Sequence, residues 1–193
     1  MPPHSFKAMA DEELAGKVSS DPQAYDELME RYEAKLLRYI RRLAQLNVQD
    51  AEDILQDVFL KAYMRIEDFD CDLKFSSWIY RITHNAVISE YRKRSSRKGD
   101  IELEEAPLKA LIDDISIPSE IDRSIAKDIV REALNALPIK ERVPLELFYF
   151  EDKTVNEISD IIRKPIGTVG TLMSRGKKRL KNHLNRLYSN IQS

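Results

Sequence analysis

Apolar residues recur at steps of three and four along most of this chain, and that period predicts helices. Tyr25, Leu28, Met29, Tyr32, Leu36, Tyr39, Ile40 and Leu43 form one such stripe. It predicts a long amphipathic helix ending near Leu46, with Asp21 as N-cap and Pro22 at the first helical position. Residues 1–10 read as a lead-in, and a short helix is expected over Asp11–Ala15. After a break at Asn47–Asp50, a second helix is expected from about Ala51 to Ile66, burying Ile54, Leu55, Val58, Ala62 and Ile66. Phe69 to Phe75 is too short and polar for an element and reads as a loop. A third helix follows, capped by Ser76 or Ser77, with Trp78, Ile79, Ile82, Ala86 and Val87 inward. Its expected surface carries Tyr80, Arg81, His84, Asn85, Ser89, Tyr91 and Arg92 to Arg94.

The second half repeats the helical period in shorter pieces. A helix starting near Pro118-Ser119 carries Ile121, Ile125, Ile129, Ala133 and Leu137 on one stripe, and Pro138 ends it. Another, from about Lys140 to Phe150, places Val143, Leu147 and Phe148 in the core and Pro144 near its first turn. Thr154-Val155-Asn156-Glu157 is a capping box: the Thr hydroxyl serves free backbone donors while the Glu side chain reaches back. Val155, Ile158, Ile161 and Ile162 give that helix its apolar face, and Arg163-Lys164-Pro165 stops it. A new helix restarts near Ile166 with small, hydroxyl and basic residues. Capped helix, short break and second helix make the pattern of a helix-turn-helix.

Charge sharpens that pattern. From Arg163 through Arg186 there is no Asp or Glu, although the whole chain has a net charge of −2. A purely cationic block suits phosphate neutralisation, whatever the overall balance. The alternative is a solvated helix end whose cations complement the macrodipole; the helix-turn-helix pattern favours DNA. The opposite composition precedes it. Asp100, Glu102, Glu104, Glu105, Asp113, Asp114, Glu120 and Asp122 face one basic residue, Lys109, between Gly99 and Asp122. This reads as a flexible acidic linker, and charge opposition raises the question whether it folds back over the basic surface.

The totals add limits. With 42% apolar and 33% charged residues among 193, and five Gly, the chain suits one or two helix-rich domains. No apolar run nears the roughly 20 residues that span a bilayer, and Met1 to Phe6 lacks the features of a secretory signal. Cys71 is the single cysteine, and His84 has no second His or Cys at ligand spacing. These points suit a cytoplasmic protein without metal or cofactor.

Two surfaces carry candidate chemistry. Asp53, Gln56 and Asp57, with Phe59 close by, mix acid, amide and aromatic; taken alone, an ordinary solvated face with one exposed ring is the simpler explanation. Aromatics interleaved with amides and cations along residues 78–94 suit single-stranded nucleic acid, where bases stack on rings and phosphates meet cations.

Four segments resemble, in order, the extracytoplasmic-function (ECF) family of RNA polymerase sigma factors. Asp50 to Tyr63 is similar to the family's core-polymerase-binding helix, and Phe75 to Asn85 to its promoter-melting helix. Ala136 to Arg142 and Pro165 to Val169 are similar to its C-terminal domain. The resemblance implies an all-α fold of two small helical domains joined by the linker. These are sigma region 2 over residues 21–96 and sigma region 4 over 119–188, with a lead-in at 1–20, the linker at 97–118 and a tail at 189–193. It implies that Asp53, Gln56, Asp57 and Phe59 meet coiled helices of the β′ subunit of core polymerase, whose β′ and β subunits are the implied partners. Phe69, Lys74, Phe75, Trp78, Arg81, Asn85 and Arg92 become readers of an unpaired −10 strand. Thr168, Thr171, Arg175, Lys177, Lys178 and Arg179 become −35 duplex contacts. Promoter DNA and an anti-sigma factor are the other implied partners, with no membrane insertion. No nucleophile–base pattern or Gly-rich phosphate loop stands out, so the expected activity is binding, not catalysis. The alternative is a helix-turn-helix regulator that binds duplex DNA without joining polymerase.

The chain departs from the family pattern in the DNA-binding helix. Arg163 stands where the turn commonly has Gly, which incurs strain if that site needs positive φ. Gly170 and Gly176 stand where stronger helix formers are common, and Leu172 where a basic residue is frequent. The expectation is a recognition helix that is loose when free and firms up on DNA, so that Gly170→Ala stabilises the chain.

Overall fold

The structure, a computed structural model, describes residues 6–93, 110–111, 114 and 123–191. Among the described residues it is all helix, with no strand. The chain divides into two compact units, Met1–Asp100 with Asp160–Ile162, and Ile101–Ser159 with Arg163–Ser193. The three-residue exchange lies inside one helix, which is described below with the second unit.

In the first unit α1 covers Asp11–Lys17, α2 Gln23–Ala44, α3 Val48–Met64 and α4 Phe75–Lys93. Helix α2 is the hub: α1, α3 and α4 all pack on it. Its stripe is buried as the period requires, with Leu28, Leu36, Tyr39, Ile40 and Leu43 at most 1% exposed. Each such side chain contributes on the order of 1.5–3 kcal/mol of apolar burial. The N-cap position falls on Pro22, one residue later than expected, while the Asp21 carboxylate still accepts the Gln23 N–H at 3.1 Å. The helix ends at Ala44 because Gln45 turns left-handed, with φ 55° and ψ 47°.

Helix α3 starts three residues before the sequence suggests. Asn47 is its cap, accepting the Asp50 N–H at 2.8 Å, an interaction of about 1 kcal/mol. At the other end Ile66 lies in a separate 3-10 turn, Ile66–Asp68. Residues 11–18 belong to the packed unit, not to a lead-in: Leu14, Ala15 and Val18 are buried.

Helix α4 begins at Phe75, which places Ser76 and Ser77 inside its first turn and not at its cap. The Phe75 N–H is instead taken by Glu12 Oε1 of α1 at 2.8 Å. Three rings surround Phe75 at centroid distances of 5.5 Å each: Tyr32, Phe69 and Trp78. Tyr80, expected on the surface, is 1% exposed and packs on Tyr39 at 5.5 Å. Trp78, expected in the core, is half-buried.

In the second unit α5 covers Arg123–Asn135, α6 Ile139–Phe150, α7 Val155–Ile162 and α8 Ile166–Ile191. Helix α6 is buried nearly all round, including Glu141, Arg142 and Glu146. Arg142 donates to Asn135 Oδ1 at 2.9 Å, which ties α6 to the end of α5. Phe148 is the exception to the expected core, at 37% exposed. Pro144 sits inside α6 and offers no donor to the carbonyl of Lys140.

The capping box is present in both directions. Thr154 accepts the Glu157 N–H at 3.3 Å, and Glu157 accepts the Thr154 N–H at 2.9 Å. Arg163 closes α7 in the left-handed region at φ 52° and ψ 53°, so the turn does carry the strain that a Gly would avoid. Its neighbours hold it: the Lys164 N–H reaches Ser159 O at 3.1 Å and Ser159 Oγ reaches Lys164 O at 2.6 Å.

Helix α8 packs on α5 and α6 through Val169, Met173, Leu180 and Leu184. Gly176 occupies the same stripe for a steric reason. A Cβ there would sit 2.9 Å from Leu145 Cδ1 and 3.0 Å from Glu141 O, whereas one at Gly170 meets nothing within 4 Å. The two glycines therefore differ. Gly170→Ala is expected to raise stability by up to about 1 kcal/mol, and Gly176→Ala to lower it by about 1–3 kcal/mol through overpacking. Urea midpoints of the two variants check both signs.

Candidate nucleic-acid and partner interface

At about 100° per residue, α3 turns Gln49, Asp53, Gln56, Asp57, Leu60 and Met64 onto one stripe. Asp53, Gln56 and Asp57 are exposed as expected. Leu60 and Met64 continue the stripe at 59% and 74% exposed, and sequence reasoning missed them. Phe59 does not belong there. It lies about 120° around the helix from Asp53, is half-buried, and its carbonyl accepts the Tyr25 hydroxyl. Two residues along a helix nearly reverse direction, so closeness in sequence misplaced the ring.

The loop between α3 and α4 is pinned at both ends. Phe69 and Phe75 are 7% and 1% exposed, and Phe69 also packs on Trp78 at 5.4 Å. Both rings belong to the core here and do not present a face to a base. Between them Asp70, Cys71, Asp72, Leu73 and Lys74 are exposed, and Asp70 Oδ1 accepts the Asp72 N–H at 3.0 Å. Trp78, Arg81, Asn85 and Arg92 follow on one side of α4, with Asn85 and Arg92 exposed and Trp78 and Arg81 half-buried. An open groove of about 340 Å³ between α3 and α4 has Asp57, Lys61 and Arg65 on one wall and Asn85, Ser89 and Lys93 on the other.

His84, expected on that surface, turns away from it. Its Nδ1 lies 3.3 Å from the Tyr39 hydroxyl, and burial first, then the nearby Arg92 charge, push its pKa down to about 4.

On α8 the helical period separates the candidate cations. Thr168, Thr171, Arg175 and Lys178 are exposed and share one side. Thr171 returns its hydroxyl to Gly167 O at 2.8 Å. Lys177 points the other way: its Nζ meets Asp114 Oδ2 at 2.6 Å and lies 5.7 Å from the centre of the Tyr149 ring. Asp114 also accepts the Tyr149 hydroxyl. The two bonds hold the Asp114 carboxyl below its ordinary range, that of Lys177 first. Arg179 pairs with the buried Glu141 at 3.0 Å while remaining 58% exposed. The acidic segment thus engages α8 at Asp114, on its side away from Thr168, and Leu111 is fully buried.

Comparison with known proteins bears on all three surfaces. The Sigma-70 region 2 family matches residues 28–97, and the Sigma-70 region 4 family matches residues 127–180. The ECF RNA polymerase sigma factor SigW of Bacillus subtilis is 32% identical over 173 residues, spanning 85% of this chain and 90% of that protein. This chain belongs to the ECF RNA polymerase sigma factors. The ECF sigma-E factor of Escherichia coli K12 is 28% identical over 181 residues, with 90% and 94% of the two chains covered. Among solved structures, CnrH in complex with the cytosolic domain of CnrY has a TM-score of 0.67 at 21% identity, covering 92% of this chain and 99% of CnrH. The sigma factor RpoE of Bartonella quintana, in complex with the anti-sigma factor NepR, gives 0.60 at 20% identity, covering 82% and 97%. Both show the shared fold. As an ECF sigma factor the protein binds core RNA polymerase and directs promoter-specific initiation. A duplex-binding regulator that never joins polymerase leaves the region 2 match unexplained.

The placement of His84 carries a pH consequence. With a folded pKa of about 4 against about 6.5 when unfolded, the unfolded chain binds more protons between those values. Stability is therefore expected to fall as pH drops from about 6.5 towards 4. His84→Gln should flatten that fall, as followed by thermal melting across this range.

Proposed function

We propose that this ECF sigma factor divides its work among the three surfaces. The α3 stripe Asp53, Gln56 and Asp57, extended by Leu60 and Met64, docks on the coiled helices of the polymerase β′ subunit. An acidic rim beside an apolar patch fits a partner helix with basic and apolar positions. The loop 70–74 with Trp78, Arg81, Asn85 and Arg92 captures an unpaired −10 base, since extrusion costs a few kcal/mol that stacking and hydrogen bonds offset. Phe69 and Phe75 act by holding the loop. Thr168, Thr171, Arg175 and Lys178 read the −35 duplex through phosphates and base edges. Lys177 and Arg179 support the helix.

The observation that carries this reading is the sorting of side chains by exposure. Asp53, Gln56 and Asp57 on α3, Asn85 and Arg92 on α4, and Thr168, Thr171, Arg175 and Lys178 on α8 each lie outward on one side, while Phe69 and Phe75 are buried behind the loop. The protein acts by binding and assigns phosphoryl transfer to the polymerase, with no catalytic residue of its own. The cytoplasm is its proposed place; no described helix is long and apolar enough to cross a membrane. An anti-sigma protein that covers these surfaces is the proposed regulator, in keeping with the complex of RpoE with NepR.

The test mixes the purified chain with sigma-free core polymerase and maps transcripts from genomic fragments. Discrete starts are expected. Leu60→Ala with Met64→Ala should weaken core binding about tenfold, on the order of 1.4 kcal/mol, and Asp57→Lys should abolish the starts. Duplex binding without starts on cognate core would overturn the reading. On a duplex −35 probe, Arg175→Ala should lower the slope of log affinity against log salt by about one. Lys177→Ala should leave that slope unchanged and lower the melting temperature.

A further inference from the structure

Helix α1 lies before the region 2 match at residues 28–97, yet the structure ties it to the loop that precedes α4. Three contacts meet that segment in turn. Ser19, just after α1, donates to Glu67 at 3.1 Å in the 3-10 turn that leads into the loop. Gly16 faces Cys71 in the loop, where a Cβ on Gly16 would lie at ordinary contact distance, 3.5 Å, from Cys71 Sγ. Glu12 Oε1 takes the Phe75 N–H at 2.8 Å where the loop ends and α4 begins.

The last contact is a helix cap supplied from 63 residues away. The first N–H groups of a helix lack partners within it, and a carboxylate at that end is favoured by both the hydrogen bond and the helix dipole. Neither Ser76 nor Ser77 can serve, since both lie inside the first turn. The donor end of α4 therefore depends on where α1 is held.

What holds α1 is a separate network on α2. Arg31 donates to Asp11 Oδ1 at 2.7 Å, to Met9 O at 2.8 Å and to Phe6 O at 2.7 Å, while Glu27 takes its Nε–H at 2.8 Å. Tyr32 donates to Asp11 Oδ2 and places its ring against Phe75. One helix turn of α2 thus fixes both α1 and the residue α1 caps.

We propose that α1 is a positioning element for −10 strand capture, with Glu12 as its decisive residue. The inference rests on the reading of the loop and α4 as the −10 surface. Glu12 touches no nucleic acid. It fixes the first turn of α4, and with it the directions of Lys74, Trp78 and Arg81 relative to the loop. Losing the cap leaves the helix in place but widens the range of positions open to those side chains, which reduces discrimination between bases.

The experiment uses full-length chain reconstituted with core polymerase and a fork probe, single-stranded at −10, from a promoter found in the transcription test. The readout is the ratio of affinities for the native probe and for probes with one −10 base replaced. That ratio does not depend on the fraction of active protein, so a purely structural role cannot move it. Glu12→Ala is expected to lower the ratio about fivefold with core affinity unchanged. Glu12→Gln, which keeps an oxygen acceptor, should stay within about twofold of the parent. Asn85→Ala serves as the direct reader. If Asn85→Ala lowers the ratio and Glu12→Ala does not, the positioning role of α1 is overturned while the −10 surface stands. If neither lowers it, the −10 surface itself is wrong and the inference falls with it.

Discussion

Phe75 is the point on which the first unit depends. Its ring meets Tyr32, Phe69 and, within its own helix, Trp78, and its N–H meets Glu12, so three other stretches of chain converge on one residue. Aromatic pairs in such edge-on and tilted geometries contribute roughly 0.5–1.5 kcal/mol each beyond area burial. That makes the junction stiff where it has to be. The loop 70–74 is exposed throughout and has little core of its own, so this junction is what fixes it.

The helical period does the rest of the sorting. In α3 it collects acid, amide and two apolar side chains on one stripe and sends Phe59 elsewhere. In α8 it sets Arg175 and Lys178 outward while Lys177 turns to Asp114 and Tyr149. Adjacent cations in one basic block thus do different things: some are available to phosphates, and others are neutralised within the protein. Counting positive charges along the chain overstates the surface that DNA can meet.

How far the sequence could be read follows from the same contrast. Stripes of apolar residues, the capping box at Thr154 and the strained turn at Arg163 are local, because period and backbone chemistry involve residues within one or two turns. All three are present among the described residues, with Trp78 and Phe148 the exceptions to the apolar stripes. The start of α3 was also a local matter, and was missed because Asn47 read as a break when it is a cap. Phe69 and Phe75 were harder: a ring that stacks on a base and a ring that stacks on another ring look alike in sequence. The cap from Glu12, the steric need for Gly176 and the pairing of Lys177 with Asp114 join residues far apart in the chain. No spacing rule reaches them.

The turn before α8 has an electrostatic side as well as a steric one. Arg163 accepts a left-handed backbone that Gly would adopt freely, and in return an exposed guanidinium stands next to Lys164 just ahead of the first turn of α8. That first turn contains no acidic residue, so two cations lie beside the positive end of the helix dipole. Cations at that end are unfavourable, by roughly 0.3–1 kcal/mol each. An anion seated there reverses the sign of the interaction. The left-handed turn at Arg163 therefore exchanges backbone strain for a local positive field that a glycine at the same position would not supply.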